Sequence, residues 1–319
     1  MSHYEILEDI ISKLKQLLVE SCTQYDSTTI SLSGGLDSTI IAHLLKKKDP
    51  LGIAIIAKDF VATDMTYCQM AAKEIPIRLR IHNVDTAEIL TAVEETIKIL
   101  KNFNDIEIRN NIVAYLALKS VKDSGEKKMI TGDGADELFA GYNFLLSKTG
   151  GELDNEIQRV CEIMHFPSKK IGDAIGVRVE TPFLEKNIIE FAKHIPSDYK
   201  VRKEGNETYG KWILRKAFEN SIPKQIVWRR KSPMQDGSGT AGLTEFFDAV
   251  IRDDIFKERK KSIQNSDGIT IRTKESMYYY EKFRKFYNIP VSKTERTCPF
   301  CNNDVIDSKF CRMCGAYPI

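Results

Sequence analysis

One short stretch carries the residue types that bind phosphate groups. An apolar run, Thr28–Leu32, stops at a hydroxyl residue and the adjacent glycines Gly34 and Gly35, and helix-compatible residues follow. This order predicts a strand, a tight loop and a helix. Adjacent glycines let backbone N–H groups approach a phosphate closely, and the start of a helix attracts anions. Asp37 adds a carboxylate that can hold Mg²⁺ between phosphate oxygens.

The whole string Ser33-Gly34-Gly35-Leu36-Asp37-Ser38 is more specific than its glycine pair, because any strand–turn–helix unit can contain two glycines. Ser33 and Ser38 supply hydroxyl donors for the same anion. The string is not a Walker A loop, since no Gly-Lys-Ser/Thr follows. It resembles the pyrophosphate-binding loop of the N-type ATP pyrophosphatases, which cut ATP between its α and β phosphates and pass AMP to an acyl or carbonyl oxygen.

A second dense stretch runs Ile130-Thr131-Gly132-Asp133-Gly134-Ala135-Asp136-Glu137. Again a strand ends at glycines and carboxylates, and a helix is expected to begin near Ala135. Asp133, Asp136 and Glu137 would repel one another on a bare surface, and a bound divalent cation would relieve that repulsion. The alternative is an acidic helix start that only complements the helix dipole.

Composition indicates a globular protein without a polyelectrolyte partner. The 319 residues are 42% hydrophobic and 29% charged, with a formal net charge of +2. No apolar run reaches membrane-spanning length and the N-terminus lacks a secretory pattern, which predicts a cytoplasmic protein with no membrane contact. Four of the seven cysteines fall in paired spacing within the last 22 residues. That favours metal binding in a reducing compartment over disulfides.

The apolar pattern predicts an α/β fold built on a doubly wound parallel sheet. Helical stretches alternate with strands that are expected at Thr28–Leu32, Leu51–Ala57, Ile77–Ile81 and Lys128–Thr131. Ligands of such sheets bind at the carboxyl ends of the strands. Both glycine motifs fall at such ends.

The pattern also suggests three domains. They are an N-terminal helix (residues 1–24), an ATP-binding domain with a helical C-terminal extension (25–290) and a small cysteine module (297–319). Within the extension, residues 254–265 are charged, and the segment that follows them, as far as Thr273, is expected to form a loop.

The cysteine module contains Cys298-Pro299-Phe300-Cys301 and Cys311-Arg312-Met313-Cys314. Four thiolates on two knuckles match a closed tetrahedral Zn²⁺ site, which predicts a zinc ribbon. So short a module cannot build a core, and metal must supply its folding energy, on the order of 10 kcal/mol. Zinc ribbons contact nucleic acid or protein in some proteins and only brace the fold in others.

Three further stretches make a family resemblance specific. They are Thr181-Pro182-Phe183-Leu184-Glu185, Leu214-Arg215-Lys216-Ala217-Phe218 and Trp228-Arg229-Arg230-Lys231. With the two glycine motifs they look like the synthetase domain of the asparagine synthetases, in that family's order across residues 25–240. The resemblance implies an adenine nucleotide α-hydrolase-like fold and an AMP- and pyrophosphate-forming ligase that uses ATP and Mg²⁺.

The resemblance also implies roles for single residues. The loop that binds ATP and pyrophosphate would comprise Leu32, Ser33, Gly34, Gly35, Asp37 and Ser38. The main chain that lines the adenosine would be that of Ala57, Thr131 and Gly132. Asp37 and Asp136 resemble the carboxylates that bind Mg²⁺ with pyrophosphate. Asp133 stands where the family often has a catalytic glutamate, and Lys231 matches a lysine that neutralises charge developing at the α-phosphate.

Two features depart from that family. Residue 2 is Ser2, where the glutaminase half has a cysteine nucleophile, and only a short helix precedes the phosphate loop. The expected nitrogen source is therefore free ammonia, a separate ammonia-donor protein or a substrate amine. In addition, Arg178 precedes Glu180, where the family has the acid before the arginine. That reversal indicates either a swapped ion pair or altered recognition of the acid substrate.

Three functions compete at this point. The first is an amide-forming ligase that adenylates aspartate or a related acid and transfers ammonia or an amine to it. The second is a tRNA-modifying enzyme that adenylates a nucleobase oxygen. The third is a nucleotide-binding protein without catalysis. A homodimer is left open in each case.

Overall fold

The structure, a computed structural model, describes residues 3–305 and 309–319. Its strands are β1 (Thr29–Ser31), β2 (Leu51–Ala57), β3 (Arg78–Val84), β4 (Lys128–Ile130), β5 (Arg178–Glu180), β6 (Arg202–Glu204) and β7 (Glu207–Tyr209). Its α-helices are α1 (His3–Thr23), α2 (Leu36–Leu45), α3 (Asp64–Glu74), α4 (Thr86–Leu100), α5 (Asp105–Asp123), α6 (Ala135–Leu138), α7 (Gly150–Ile163), α8 (Pro167–Ile175), α9 (Lys186–His194), α10 (Ser197–Lys200), α11 (Trp212–Phe218), α12 (Lys224–Val227), α13 (Met234–Ser238), α14 (Leu243–Val250), α15 (Asp253–Asp267) and α16 (Lys274–Arg284). None of the helices in these residues is long and apolar enough to cross a membrane.

Five strands form a parallel sheet in the order β3-β2-β1-β4-β5. Ile30 of β1 lies opposite Gly52 of β2 on one side and opposite Ile130 of β4 on the other. The chain runs outward from β1 through β2 to β3 and then returns to β4, so the strand order reverses between β1 and β4. Such a switch point leaves a crevice at the carboxyl ends of the two strands. Each glycine motif follows one of these two strands.

The predicted α/β fold with a parallel sheet is confirmed, and the four predicted strands correspond to β1, β2, β3 and β4. The edge strand β5 was not predicted. It is three residues long, and only Val179 is apolar, between Arg178 and Glu180. In so short a segment, the alternation of apolar and polar residues that marks a strand cannot be recognised.

The chain forms two compact units. The first comprises Met1–Ile55, Thr63–His82 and Ala117–Pro233. In its core, Leu14 and Leu18 of α1 belong to the same buried apolar cluster as Ile40 of α2 and Phe139 after α6. The first unit therefore holds most of the sheet and both glycine motifs.

The second unit comprises Ile56–Ala62, Asn83–Leu116 and Met234–Ile319. Its core includes the tyrosine-rich helix α16, in which Tyr279 and Tyr280 are buried. The ring of Phe103 packs against Tyr280 and Phe283, with ring centroids 5.0 Å and 5.3 Å apart. The cysteine module belongs to this unit.

The loop predicted to end at Thr273 is confirmed from Gly268 onward, whereas the charged residues before it, for which no helix was predicted, form α15 (Asp253–Asp267). No residue of this helix is buried. Asp253 and Asp254 in its first turn complement the helix dipole, and Gly268 ends it in the left-handed conformation with φ of 69°. Because α15 buries no apolar face, hydrophobic periodicity could not reveal it.

Candidate active site

The first glycine motif forms a tight loop between β1 and α2. Gly34 has φ of 65°, and a Cβ atom there would stand 2.6 Å from atoms of Tyr67 and Cys68 in α3. Only glycine fits at this position. The Oγ atoms of Ser33 and Ser38 lie 3.2 Å apart across the loop. The loop's shape is therefore set by its own glycine and serines.

Two carboxylates, one from each glycine motif, lie on either side of one ammonium group. Lys211 Nζ is 2.5 Å from Asp37 Oδ2 and 2.7 Å from Asp136 Oδ1. Lys231 Nζ lies 2.5 Å from Asp136 Oδ2. The structure therefore brings together Asp37, Asp136 and Lys231, three of the residues predicted from sequence, with a lysine that sequence reasoning missed.

Charge pairing decides the protonation of this cluster. Burial by itself would raise the pKa of Asp136, but the ammonium groups of Lys211 and Lys231 outweigh it and hold that pKa below its ordinary value. Burial would lower the pKa of Lys211, but Asp136 and Asp37 outweigh it and raise that pKa. Asp136 and Lys211 are therefore both charged at neutral pH.

The direction of the Lys211 side chain is set by an uncommon backbone. Lys211 has φ of 54°, in the left-handed region, and its N–H donates to Phe139 O at 2.9 Å. Gly141 leaves the space for the pair, because a Cβ atom there would stand 1.9 Å from Asp136 Oδ1 and 2.2 Å from Lys211 Cε. The sequence offered one signal, a lysine directly after Gly210 beside a family motif, but spacing does not reveal a left-handed backbone.

A buried guanidinium connects the two lysine segments. Arg215 Nε donates to Gly210 O at 2.9 Å, and its Nη1 donates to Arg229 O at 3.0 Å. Gly210 precedes Lys211, and Arg229 precedes Lys231 by two residues. The arginine of the Leu214-Arg215 motif therefore fixes the backbone that carries both ammonium groups.

A second pair that sequence reasoning missed supports the Trp-Arg-Arg-Lys segment. The guanidinium carbon of Arg229 lies 3.7 Å from the centroid of the Tyr67 ring, and its Nη2 lies 3.1 Å from Asp64 Oδ1. Burial raises the pKa of Asp64 to about 6, although Arg229 opposes the shift. Asp64 and Tyr67 thus hold Arg229 against α3.

Asp133 is held by α8. Its Oδ2 accepts a hydrogen bond from Ser168 Oγ at 2.5 Å. Burial raises the pKa of Asp133, and the bond from Ser168 offsets part of that shift. Ser168 was not predicted from sequence, because it lies far from Asp133 along the chain.

The remaining predicted ATP residues sit at strand ends. Leu32 follows β1, Ala57 ends β2 and Thr131 follows β4, and all three are buried. Gly132 comes directly after Thr131. These positions provide main chain at the carboxyl edge of the sheet.

The reversed charge pair lies on β5. Glu180 is 3% exposed, and its Oε1 is 4.0 Å from both Arg178 Nε and Lys128 Nζ. Arg178 is 71% exposed. Burial raises the pKa of Glu180. The reversal was interpreted either as a swapped ion pair or as altered recognition of the acid substrate. The observed contact between Arg178 and Glu180 is a loose ion pair, which favours the first interpretation.

The carboxylates near Lys211 fit a divalent cation. Asp37 Oδ1 is buried and has no hydrogen-bond partner among the residues that the structure describes. A buried carboxylate oxygen without a donor is a suitable ligand for a hard cation that brings phosphate oxygens with it. The donor set is all oxygen, as Mg²⁺ requires.

The four cysteines of the C-terminal module form a second candidate site. Their Sγ atoms are buried and all lie within 4.8 Å of one another. The Sγ atoms of Cys298 and Cys314 are 3.7 Å apart, and those of Cys301 and Cys311 are 3.6 Å apart. An ion bound tetrahedrally at ~2.3 Å from each sulfur would separate neighbouring sulfurs by ~3.8 Å. The thiols therefore fit one tetrahedral metal ion.

Comparison with known families agrees with this geometry. The sequence model of asparagine synthase matches residues 13–164 and 155–298. The chain belongs to the asparagine synthase family. The matched residues of this asparagine synthase family member include both glycine motifs and the Trp-Arg-Arg-Lys segment. Residues 299–319, with three of the four cysteines of the module, lie beyond the match.

Curated relatives of this asparagine synthase family member are longer proteins. It is 29% identical over 294 residues to a glutamine-hydrolyzing asparagine synthetase of Oryza sativa subsp. japonica, covering 85% of this chain and 49% of that protein. It is 29% identical over 276 residues to the glutamine-hydrolyzing asparagine synthetase of Gallus gallus, covering 80% and 48%. The chain thus spans about half the length of the curated relatives it matches.

Likeness to solved structures is distant. The NMN synthetase of Francisella tularensis aligns with a TM-score of 0.40 and 14% identity, over 90% of this chain and 99% of that one. A U34-tRNA thiolase of Methanococcus maripaludis aligns with a TM-score of 0.31 and 14% identity, over 97% and 87%.

Proposed function

We propose that this protein is an ATP-dependent, amide-forming ligase that works through an acyl-adenylate. The observation that supports this most directly is the meeting of Asp37 and Asp136 around Lys211, at the switch point of the sheet. A phosphate-binding loop alone could serve nucleotide binding. Two carboxylates and two lysines converging beside that loop suit the transfer of a charged leaving group.

In the first step, a carboxylate oxygen of the acid substrate attacks the α-phosphorus of ATP. The bond from that phosphorus to the bridging oxygen breaks, and pyrophosphate leaves with the electron pair. We assign to Lys231, whose side chain is 30% exposed, the neutralisation of the charge that develops on the phosphates. Backbone N–H groups of the loop from Ser33 to Ser38 bind the pyrophosphate. When bound through Asp37 and Asp136, Mg²⁺ would supply further neutralisation of the phosphate charge.

In the second step, ammonia or an amine attacks the acyl carbon and AMP leaves. The attacking nitrogen must lose a proton, and we assign its acceptance to Asp133. Burial raises the pKa of Asp133, so its carboxylate is a stronger base than an exposed one. The hydroxyl of Ser168 holds Asp133 Oδ2 by a hydrogen bond.

The substrates we propose are aspartate or a related acid, with ammonia or an amine as the nitrogen donor. The experiment that tests this gives the protein ATP, Mg²⁺, ammonium and heavy-oxygen-labelled aspartate, and measures pyrophosphate and labelled AMP. An acyl-adenylate transfers one carboxylate oxygen to AMP, so labelled AMP is expected. Pyrophosphate that forms only with bulk tRNA would favour a tRNA-modifying enzyme instead.

Two variants make this experiment specific. Asp37→Asn is expected to abolish pyrophosphate release, because it removes one carboxylate from the cluster. Asp49→Asn is the matched control, since the Asp49 side chain is 74% exposed and pairs with Arg78. Equal rates in the two variants would place the site elsewhere.

We also propose Zn²⁺ as the ion of the four-cysteine module, because four thiolates at tetrahedral spacing favour it over harder cations. A reducing compartment such as the cytoplasm suits the chain, in which all seven cysteines are free. The division into an N-terminal helix (1–24), an ATP-binding domain (25–290) and a zinc ribbon (297–319) stays a prediction.

A further inference from the structure

The cysteine module is anchored to the start of α5 by its own backbone. Met313 O accepts the N–H of Phe103 at 2.9 Å, and Cys314 O accepts Arg272 Nη2 at 2.7 Å. Both carbonyls belong to the second CxxC pair. Because a module this short takes its fold from the metal, metal binding decides where these acceptors lie.

The same knuckle approaches α5 too closely for any side chain. Gly315 has φ of 74°, and a Cβ atom there would stand 2.7 Å from Asn104 Oδ1 and 2.8 Å from Asp105 Oδ1. Asp105 begins α5, and its Oδ1 also lies 3.4 Å from Arg272 Nη2. The first turn of α5 is therefore held between Arg272 and the second knuckle.

The first knuckle is docked as well. Phe300 O accepts the N–H of Thr270 at 2.7 Å, and Asn302 Nδ2 donates to Gly268 O at 3.4 Å. With both knuckles bonded to the second unit, the module is part of that unit's structure rather than a free recognition element.

One turn further along α5, Arg109 binds three side chains that come from later in the sequence. Its Nε donates to Gln235 Oε1 at 2.8 Å and its Nη1 donates to Thr244 Oγ1 at 2.9 Å. It also pairs with Glu275, which is 1% exposed. Because these hydrogen bonds and the ion pair fix the orientation of the buried guanidinium, a shift of α5 must also move the side chains that Arg109 binds.

Gln235 belongs to α13, the segment that follows the Trp-Arg-Arg-Lys motif. It lies four residues after Lys231 along the chain. The side chain of Gln235 accepts the hydrogen bond from Arg109, and its backbone N–H donates to Asn110 Oδ1 at 3.2 Å. The side chains of α5 thus bond α13 at two points.

We propose that metal binding by the four cysteines fixes the start of α5 and, through Arg109, positions α13. Arg109 is then a positioning residue for the segment that follows Lys231 in the sequence, and loss of the metal makes that segment more mobile. The catalytic consequence rests on the proposed function, whereas the coupling between the metal, α5 and α13 does not.

The test measures amide hydrogen exchange of the full chain by mass spectrometry, together with zinc content. In Cys314→Ser, zinc is expected to be lost, and exchange is expected to rise at residues 102–109 and 234–238. In Arg272→Met, zinc is expected to stay while exchange rises at the same two segments, because only the bonds to Cys314 O and Asp105 are removed. Unchanged exchange at either segment in both variants overturns the proposal.

Two further variants separate the links of this chain of contacts. Arg109→Met is expected to keep zinc and the protection of residues 102–105 while residues 234–238 loosen. Arg109→Lys, which keeps the positive charge but carries its donors on a single nitrogen, is expected to restore part of that protection. Lys293→Ala, at an exposed position shortly before the module, is the control and should change neither segment. Loosening of residues 234–238 in the control to the same extent would also overturn the proposal.

Enzyme turnover gives an independent measurement. In Arg272→Met, kcat for pyrophosphate release is expected to fall about ten- to hundredfold, the range expected when reacting groups are misplaced by about 1 Å. The KM for ATP is expected to change little, since the phosphate loop is untouched. If the wild-type protein releases no pyrophosphate, the proposed function is wrong. Hydrogen exchange still tests whether the metal site, α5 and α13 are coupled. If exchange rises and kcat stays constant, the positioning role is wrong.

Discussion

Asp37 and Asp136, which belong to different glycine motifs, are joined by the single ammonium group of Lys211. Without that ammonium, the two carboxylates would repel each other at the carboxyl ends of β1 and β4. Among the residues that the structure describes, Lys231 forms its ion pair with Asp136 and none with Asp37, so it does not replace Lys211 between the two carboxylates. The site therefore balances its charges internally, and Lys211 is the residue on which that balance depends.

Replacing Lys211 with methionine is expected to destabilise the protein by about 3–5 kcal/mol, the usual range when one partner of a buried ion pair is removed. Methionine keeps an apolar stem and loses the charge. Urea unfolding at neutral pH measures the effect. Added Mg²⁺ is expected to restore part of the stability, because a cation bound by the two carboxylates favours the folded state.

The matched control is Lys216→Met on α11. Lys216 lies 2.8 Å from Glu219 and 3.8 Å from Glu204, and these partners are partly exposed. Loss of such a pair is expected to lower the free energy of unfolding by less than about 1 kcal/mol. Equal decreases in the free energy of unfolding for Lys211→Met and Lys216→Met would contradict the role of Lys211 as the buried partner of Asp37 and Asp136.

Asp64 is expected to make stability fall as pH rises from about 4 to about 6. Burial raises its folded-state pKa from 3.8 to about 6. The folded protein therefore keeps this proton where the unfolded chain has lost it, so the stabilisation present below pH 4 is lost through that window. The gap between 3.8 and about 6 corresponds to about 3 kcal/mol.

The measurement compares the free energy of unfolding of the wild type and of Asp64→Asn at several pH values. The wild type is expected to lose stability relative to this variant as pH rises. Asp85→Asn gives the opposite sign, because the hydrogen bond from the Glu88 backbone lowers the pKa of Asp85, so its contribution is lost as pH falls. Parallel pH curves for wild type and Asp64→Asn would show that the Asp64 pKa is ordinary.

Ser168→Ala is expected to move the acidic limb of the pH–rate profile to higher pH. The mutation removes the hydrogen bond to the Asp133 carboxylate, which raises a pKa that burial has already raised. A base with a higher pKa becomes protonated at higher pH, so kcat falls sooner on acidification. Ser168→Thr keeps a hydroxyl and is expected to restore the limb. An unmoved limb in Ser168→Ala would remove Asp133 from the role of base.

The four-cysteine site is expected to bind about one zinc ion per chain, since four thiolates complete one tetrahedral site. Substitution with Co²⁺ should give the absorption of tetrahedral thiolate-bound cobalt. Cys301→Ser should abolish that absorption. Cys161→Ser, at a half-buried cysteine outside the cluster, should leave it intact. Absorption that survives Cys301→Ser would rule out the four-thiolate assignment.

Sequence reasoning worked best where the deciding residues are close together along the chain. The loop from Ser33 to Ser38 and the two CxxC pairs are each complete within a few residues, so their types and spacing predict their geometry. The long apolar strand β2 was equally visible. Such features depend on local chemistry alone.

It failed where a contact depends on backbone that no local pattern reveals. Lys211 reaches Asp37 and Asp136 only because its backbone is left-handed and because Gly141 leaves space. The bond from Ser168 to Asp133 joins α8 to the second glycine motif and has no spacing rule. Helix α15 buries none of its residues, so no run of core-facing apolar residues marks it in the sequence.

The left-handed backbone of Lys211, with φ of 54°, has an entropic consequence. This conformation costs a non-glycine residue on the order of 1–3 kcal/mol, and the packed fold absorbs that strain permanently. A lysine side chain on an ordinary surface would lose much rotational freedom on meeting a phosphate. Lys211 has lost that freedom already, during folding. In the proposed reaction, a nucleotide bound beside Asp37 and Asp136 would therefore meet a charged cluster that folding has already ordered, and more of its binding energy would remain for reaching the transition state.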